Sequence, residues 1–247
     1  MILYGKPVAE ALRKDYEANV PKSKRGRVLT VICDETTDRG YLASIRREAD
    51  LWSVKVETVS TPLEATKTGA KKVIDLRENP PFLYGFPVAV DGQAYSDCTQ
   101  VYHTGALDSN TPCTAEAVIR MLWYYGIPLE GRNAVIIGRS LRAGKPLAMM
   151  MLARNSTVTV CHSHTPRMEL NAAIARASII VCASGQKGLI DHWTQSRYMD
   201  RLQTVVNVGG DFDEDATWAK TSGIHLAPFI GGVGPVTSAV LMSHVVM

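Results

Sequence analysis

A large charge of either sign is missing from this 247-residue chain: 27 Lys+Arg stand against 24 Asp+Glu, a formal net charge of +3. That balance excludes a surface built for wholesale nucleic-acid binding and leaves a mild bias toward anionic ligands. Cysteine is scarce, with Cys33, Cys98, Cys113, Cys161 and Cys182 far apart and no C-x-x-C pair. Neither a disulfide framework nor a zinc ribbon is indicated. Long apolar runs are absent: the most apolar stretch, residues 147–153, falls far short of the roughly 20 residues a bilayer demands. Near the start, Lys6, Glu10, Arg13 and Lys14 break up any secretory apolar segment. Internal repeats and low-complexity tracts are lacking too. The expectation is a cytoplasmic protein acting on a small molecule, without nucleic-acid or membrane partners.

What is present is an apolar content of 46%, enough for a sizeable core, and a length that allows two domains at roughly 100–200 residues each. Apolar residues at Val8, Leu12, Tyr16 and Val20 are spaced as one stripe of a helix over residues 7–20. The β-branched run 27–33 predicts a strand, and residues 41–52 return to helical spacing. Residues 54–59 and 82–90 read as further strands, with a helical candidate at 65–75 between them. From Thr114, with Glu116 and the apolar set Val118, Met121 and Leu122, a capped helix ends at Gly126. Buried strands are then predicted at 134–137, 157–160, 179–182 and 204–208, and a last helix at 238–246. Alternating strands and helices of this kind predict an α/β fold whose second half is Rossmann-type.

Gly138-Arg-Ser-Leu-Arg-Ala-Gly144-Lys-Pro146 follows one of these strands and opens a helix. Glycines there permit a tight turn and close backbone approach, and helix amides attract phosphate. The G-x-G-x-x-G spacing is lacking, so a plain strand-to-helix turn is an equal reading. The next strand ends in Cys161-His-Ser-His-Thr165, without the carboxylate that would select NAD. Arg139, Ser140 and Ser163 are instead donors for a ribose 2′-phosphate, which favours NADP. Cys161, His162 and His164 are not expected to hold a metal, because alternate residues of a strand end point to opposite faces. Residues 230–237, Ile-Gly-Gly-Val-Gly-Pro-Val-Thr, form a second glycine-rich element able to lie against a flat ligand or to serve as a strained connection.

Four ordered motifs carry a resemblance: Thr111-Pro-Cys-Thr114, Gly138-Arg-Ser140 with Gly144 and Pro146, residues 157–163 with Thr165, and Gly231-Gly-Val-Gly-Pro235 with Thr237. They resemble the signatures of the methylenetetrahydrofolate dehydrogenase/cyclohydrolase family, and Tyr4-Gly-Lys-Pro-Val-Ala9 resembles its opening segment. The resemblance implies an N-terminal α/β folate domain over residues 1–115, completed by 225–247, and a Rossmann-type NADP domain over 116–224. It implies that Gly138, Arg139, Ser140 and Ser163 hold NADP phosphates and that Gly210 approaches the nicotinamide end. It further implies that Tyr41 and Asp97 serve catalysis and bind a tetrahydrofolate derivative, with Ile230, Gly231, Gly232, Val233 and Gly234 as the folate-side loop, in a homodimer.

Two positions depart from that pattern. The family's helix tyrosine is followed four residues later by a lysine, whereas Ile45 follows Tyr41 here. Arg46 and Arg47 are rotated by about 100° and 200° around the helix and are not simple stand-ins. Gly85 stands where the family has a glutamine. Hydride removal from methylenetetrahydrofolate leaves a cation shared by two nitrogens and needs chiefly orientation, while hydrolysis of that cation needs proton handling. The expectation is an NADP-dependent dehydrogenase with weak or absent cyclohydrolase activity. The alternatives are a folate-dependent methylene transferase of specialised metabolism and a catalytically silent folate- or nucleotide-binding protein.

Overall fold

The structure, a computed structural model, describes residues 1–20, 27–68, 70, 72–77, 111–191, 201–214 and 223–246. Among them, two wholly parallel sheets organise the chain. In the first, β1 (Val28–Ile32) lies between β2 (Lys55–Val59) and β3 (Lys72–Asp75). In the second the order is β5-β4-β6-β7-β8, formed by β4 (Asn133–Ile137), β5 (Thr157–Cys161), β6 (Ile179–Cys182), β7 (Thr204–Asn207) and β8 (His225–Ala227). The α/β class and the doubly wound second half are as expected.

Local chemistry explains some of the element ends. Helix α1 covers Gly5–Asn19. Asp38 caps α2 (Arg39–Trp52) by accepting from the amides of Gly40 and Tyr41, and Ser53 closes that helix in the left-handed region at φ 55°. Thr61 and Pro62 open the short α3 (Pro62–Lys67). The helix expected over 65–75 is therefore only partly present: Val73 and Ile74 instead join β3 in register with Thr30 and Val31. Pairing with a central strand overrode a weak helical period. Thr114 is also not a cap, because α4 runs Cys113–Tyr124 behind Pro112 with no side-chain cap. The strand expected at 82–90 lies outside the described residues.

Helices α5 (Gly144–Leu152) and α6 (Arg167–Arg176) follow β4 and β5. Along β4, Ala134 and Ile136 face the larger core while Val135 and Ile137 face a second one. Strands covered on both faces need this continuous apolar pattern. The last helix, α7 (Val233–Val246), is buried throughout residues 236–246. It packs on α1, α2 and α4, so one large core joins both sheets. The strand at 225–227 belongs to the second sheet through β7, which carries that sheet past residue 224.

Candidate functional site

β4 pairs with β5 on one side and β6 on the other, so the chain reverses its winding at β4, where a crevice opens beyond the strand ends. A cavity of about 310 Å³ sits there, lined in part by Gly138, Arg139, Ser140, Ser163, Arg167 and Ser184. Among the described residues, two guanidiniums and no carboxylate line it. Arg139, Ser140 and Ser163 are exposed at its rim, so the expected cofactor residues meet in one place. Gly210 is not among the residues lining it; its α-carbon lies against the Phe229 ring instead, where an added Cβ would come within 3.7 Å.

The glycines of the β4–α5 turn are demanded first by the protein itself. Gly138 has φ +122°, and a Cβ there would lie 2.3 Å from the Ala183 carbonyl oxygen. At Gly144 a Cβ would fall 2.1 Å from the Gly138 carbonyl oxygen. Only glycine lets the turn fold this tightly. The Ser140 hydroxyl accepts from the Ala143 amide at 3.2 Å, which fixes the loop ahead of α5. After β5, Thr165 accepts from the His162 amide at 2.9 Å and His162 Nδ1 from the His164 amide at 3.2 Å. These residues form a turn around the cavity mouth.

The residues expected on the folate side are spread over two elements. Tyr41 is half-buried on α2, one turn before Ile45, which is 0% exposed within the larger core. Arg46 and Arg47 point to solvent. The second glycine element is shorter as a loop than its sequence suggests, since Val233 and Gly234 already belong to α7. Gly231 (φ +81°) accepts from the Gly5 amide at 2.8 Å, and a Cβ on Gly5 would meet the Gly232 carbonyl at 1.9 Å. The connection between α1 and α7 thus accounts for Gly231 and Gly232, while Ile230, 84% exposed, stands free of it. Asp97 and Gly85 lie outside the described residues.

Two polar groups escaped the sequence reading. At the carboxyl end of β3 the buried Asp75 is held by Arg77 through two side-chain hydrogen bonds. Beside it, burial pushes the Cys33 thiol up against the opposing charge of Arg46. In the core, His244 Nε2 lies 2.9 Å from Glu116 Oε2, and Arg120 takes the other carboxylate oxygen. His244 had no partner near it in sequence. Only the α4–α7 packing supplies one.

The family model for the tetrahydrofolate dehydrogenase/cyclohydrolase NAD(P)-binding domain matches residues 112–247. The chain belongs to this family. A bifunctional FolD protein from Nocardia farcinica is 32% identical over 99% of this chain and 95% of its own length. FolD 2 from Syntrophomonas wolfei is 30% identical over 99% of this chain and 97% of its own. Among solved structures, the Campylobacter jejuni methylenetetrahydrofolate dehydrogenase/cyclohydrolase is 25% identical and superposes with a TM-score of 0.82, covering 100% of this chain and 97% of that one. The Trypanosoma brucei enzyme, solved with NADP cofactor and inhibitor, has the same fold at 24% identity and a TM-score of 0.82, covering 99% and 95%.

Proposed function

We propose that this family member is an NADP-dependent methylenetetrahydrofolate dehydrogenase, forming methenyltetrahydrofolate, with cyclohydrolase activity weak or absent. The observation that carries the restriction is the wholly buried, apolar Ile45 one turn after Tyr41. A buried hydrocarbon side chain neither donates nor accepts a proton and cannot manage the proton traffic of hydrolysis, whereas hydride transfer needs chiefly an oriented substrate. The cofactor fits the residues present. A cavity lined, among the described residues, by Arg139 and Arg167 and no carboxylate suits a nucleotide with an extra phosphate. Gly138, Arg139, Ser140 and Ser163 would hold the phosphates, and Gly210 would stand toward the nicotinamide end. NADP, when bound, supplies the hydride acceptor.

On the folate side, Tyr41 and Asp97 would bind and orient the pterin, with residues 230–234 as the facing loop. The division follows the same reading: 1–115 with 225–247 as folate domain and 116–224 as nucleotide domain, β8 lending its strand to the second sheet. A cytoplasmic homodimer completes the proposal.

The test is a paired assay of methylene oxidation and methenyl hydrolysis on the purified protein and on Ile45→Lys. The unmodified protein should oxidise methylenetetrahydrofolate and leave methenyl hydrolysis near its spontaneous rate. A folded Ile45→Lys variant should raise hydrolysis while keeping hydride transfer within about tenfold, or ~1.4 kcal/mol in barrier. Rapid hydrolysis by the unmodified protein would overturn the restriction. Binding of NADP and folate without turnover would favour the methylene-transferase or silent-binder reading.

A further inference from the structure

The segment that follows β7 reaches both the loop beyond β6 and the chain ahead of α7 through two carboxylates, Asp211 and Glu214. Asp211 is 0% exposed. Its carboxylate accepts from the Ser184 amide at 2.7 Å and from the Ser184 hydroxyl at 3.0 Å. Ser184, Gln186 and Leu189 line the nucleotide cavity. The far end of the same loop is tied down by this segment too: the Ile190 amide donates to the Asp211 carbonyl, and Ile190 accepts from the Asp213 amide. Three residues on, Glu214 Oε1 accepts from the Asn207 side-chain amide and from the Phe229 amide. Phe229 leads into the turn at residues 230–232, which is stitched to Gly5. Gly210, with φ +78°, lets the backbone just ahead of Asp211 pass against the Phe229 ring.

We infer that Asp211 and Glu214 are positioning residues of one segment: Asp211 sets the β6 loop that walls the nucleotide cavity, and Glu214 sets the turn at 228–232 that faces the folate. The inference rests on the nucleotide and folate assignments proposed above. A buried carboxylate with two donors from one residue fixes that residue in both position and direction, because each of its oxygens takes one donor and water is excluded. Asp211→Ala leaves both Ser184 donors without their acceptor. Asp211→Asn can still accept from the Ser184 amide and donate to the hydroxyl oxygen, since a hydroxyl serves in either role. Glu214→Gln keeps one oxygen, whereas Glu214→Ala releases Phe229 altogether.

The experiment is calorimetric titration of the full chain and each variant with NADP alone and with tetrahydrofolate alone, alongside melting temperatures. Asp211→Ala should raise the NADP Kd at least tenfold and shift the tetrahydrofolate Kd less than threefold, with Asp211→Asn recovering most of the loss. Glu214→Ala should do the reverse. Equal weakening of both ligands in both variants, tracking the loss in melting temperature, would reduce the two carboxylates to general scaffold and overturn the inference. So would unchanged affinities in folded variants. Failure of the unmodified protein to bind NADP or tetrahydrofolate would instead overturn the functional proposal on which the inference stands.

Discussion

At the scale of single residues, charge and volume divide the work at the cavity beyond β4, where the nucleotide is proposed to bind. Gly138 and Gly144 shape the turn because any side chain there would strike a backbone carbonyl, whereas Arg139 is exposed at the rim and free to meet a ligand. A charge-assisted hydrogen bond to phosphate is worth roughly 1.5–3 kcal/mol. Arg139→Ala should therefore weaken NADP by about ten- to a hundredfold in Kd while changing NAD little. Side-by-side titration with the two dinucleotides checks this, and equal losses for both would remove the 2′-phosphate assignment. The motif was legible in sequence because strand, glycine turn and helix are contiguous. That the glycines answer to Ala183 and to each other was not, since Ala183 lies just past the end of β6, about 45 residues on in the chain.

At the scale of elements, the joint between α4 and α7 is where polar chemistry is buried. Glu116 and His244 are each 1% exposed and lie 128 residues apart in sequence. Burial by itself would raise the Glu116 carboxyl, but the His244 hydrogen bond and the charges of His244 and Arg120 outweigh it and hold the group below its ordinary 4.5. A carboxyl whose folded value is depressed binds protons first in the unfolded chain, so its contribution is complete above about pH 4.5 and is lost as pH falls through the folded value. Glu116→Gln should cost about 1–3 kcal/mol at pH 7 and flatten the acid side of the stability curve. Melting temperatures between pH 3 and 7 would show it; parallel curves for the two proteins would dismiss the pair as a contributor. The same scale holds the clearest misreading of the sequence, β3, where a short apolar stretch had no period strong enough to distinguish helix from strand until β1 lay beside it.

At the scale of the whole molecule, α7 makes one body of two sheets, since its apolar faces pack on α1, α2 and α4. A ligand held only by the folded state raises stability by mass action, about 2.7 kcal/mol at a hundredfold excess over Kd. Saturating NADP should therefore raise the melting temperature of the full chain in a single cooperative transition, and NAD at the same concentration should raise it less. Two separate transitions, one insensitive to NADP, would show that the shared core does not couple the halves. Among the described residues no helix is long and apolar enough to cross a membrane, as the lack of long apolar runs required.

The sequence by itself determined the α/β class, the parallel strands of the second half, the glycine turn after β4 and the family, because each is written in contiguous periods and short motifs. Tertiary structure alone decided β3, the Glu116–His244 pair, the buried state of Ile45 and the two carboxylates that hold the walls of the site. Each depends on a partner in another element, from 7 to 128 residues away for the hydrogen-bonded groups. Burial and hydrogen-bond satisfaction belong to three-dimensional neighbourhoods, and a linear pattern carries no record of which neighbour will fill them.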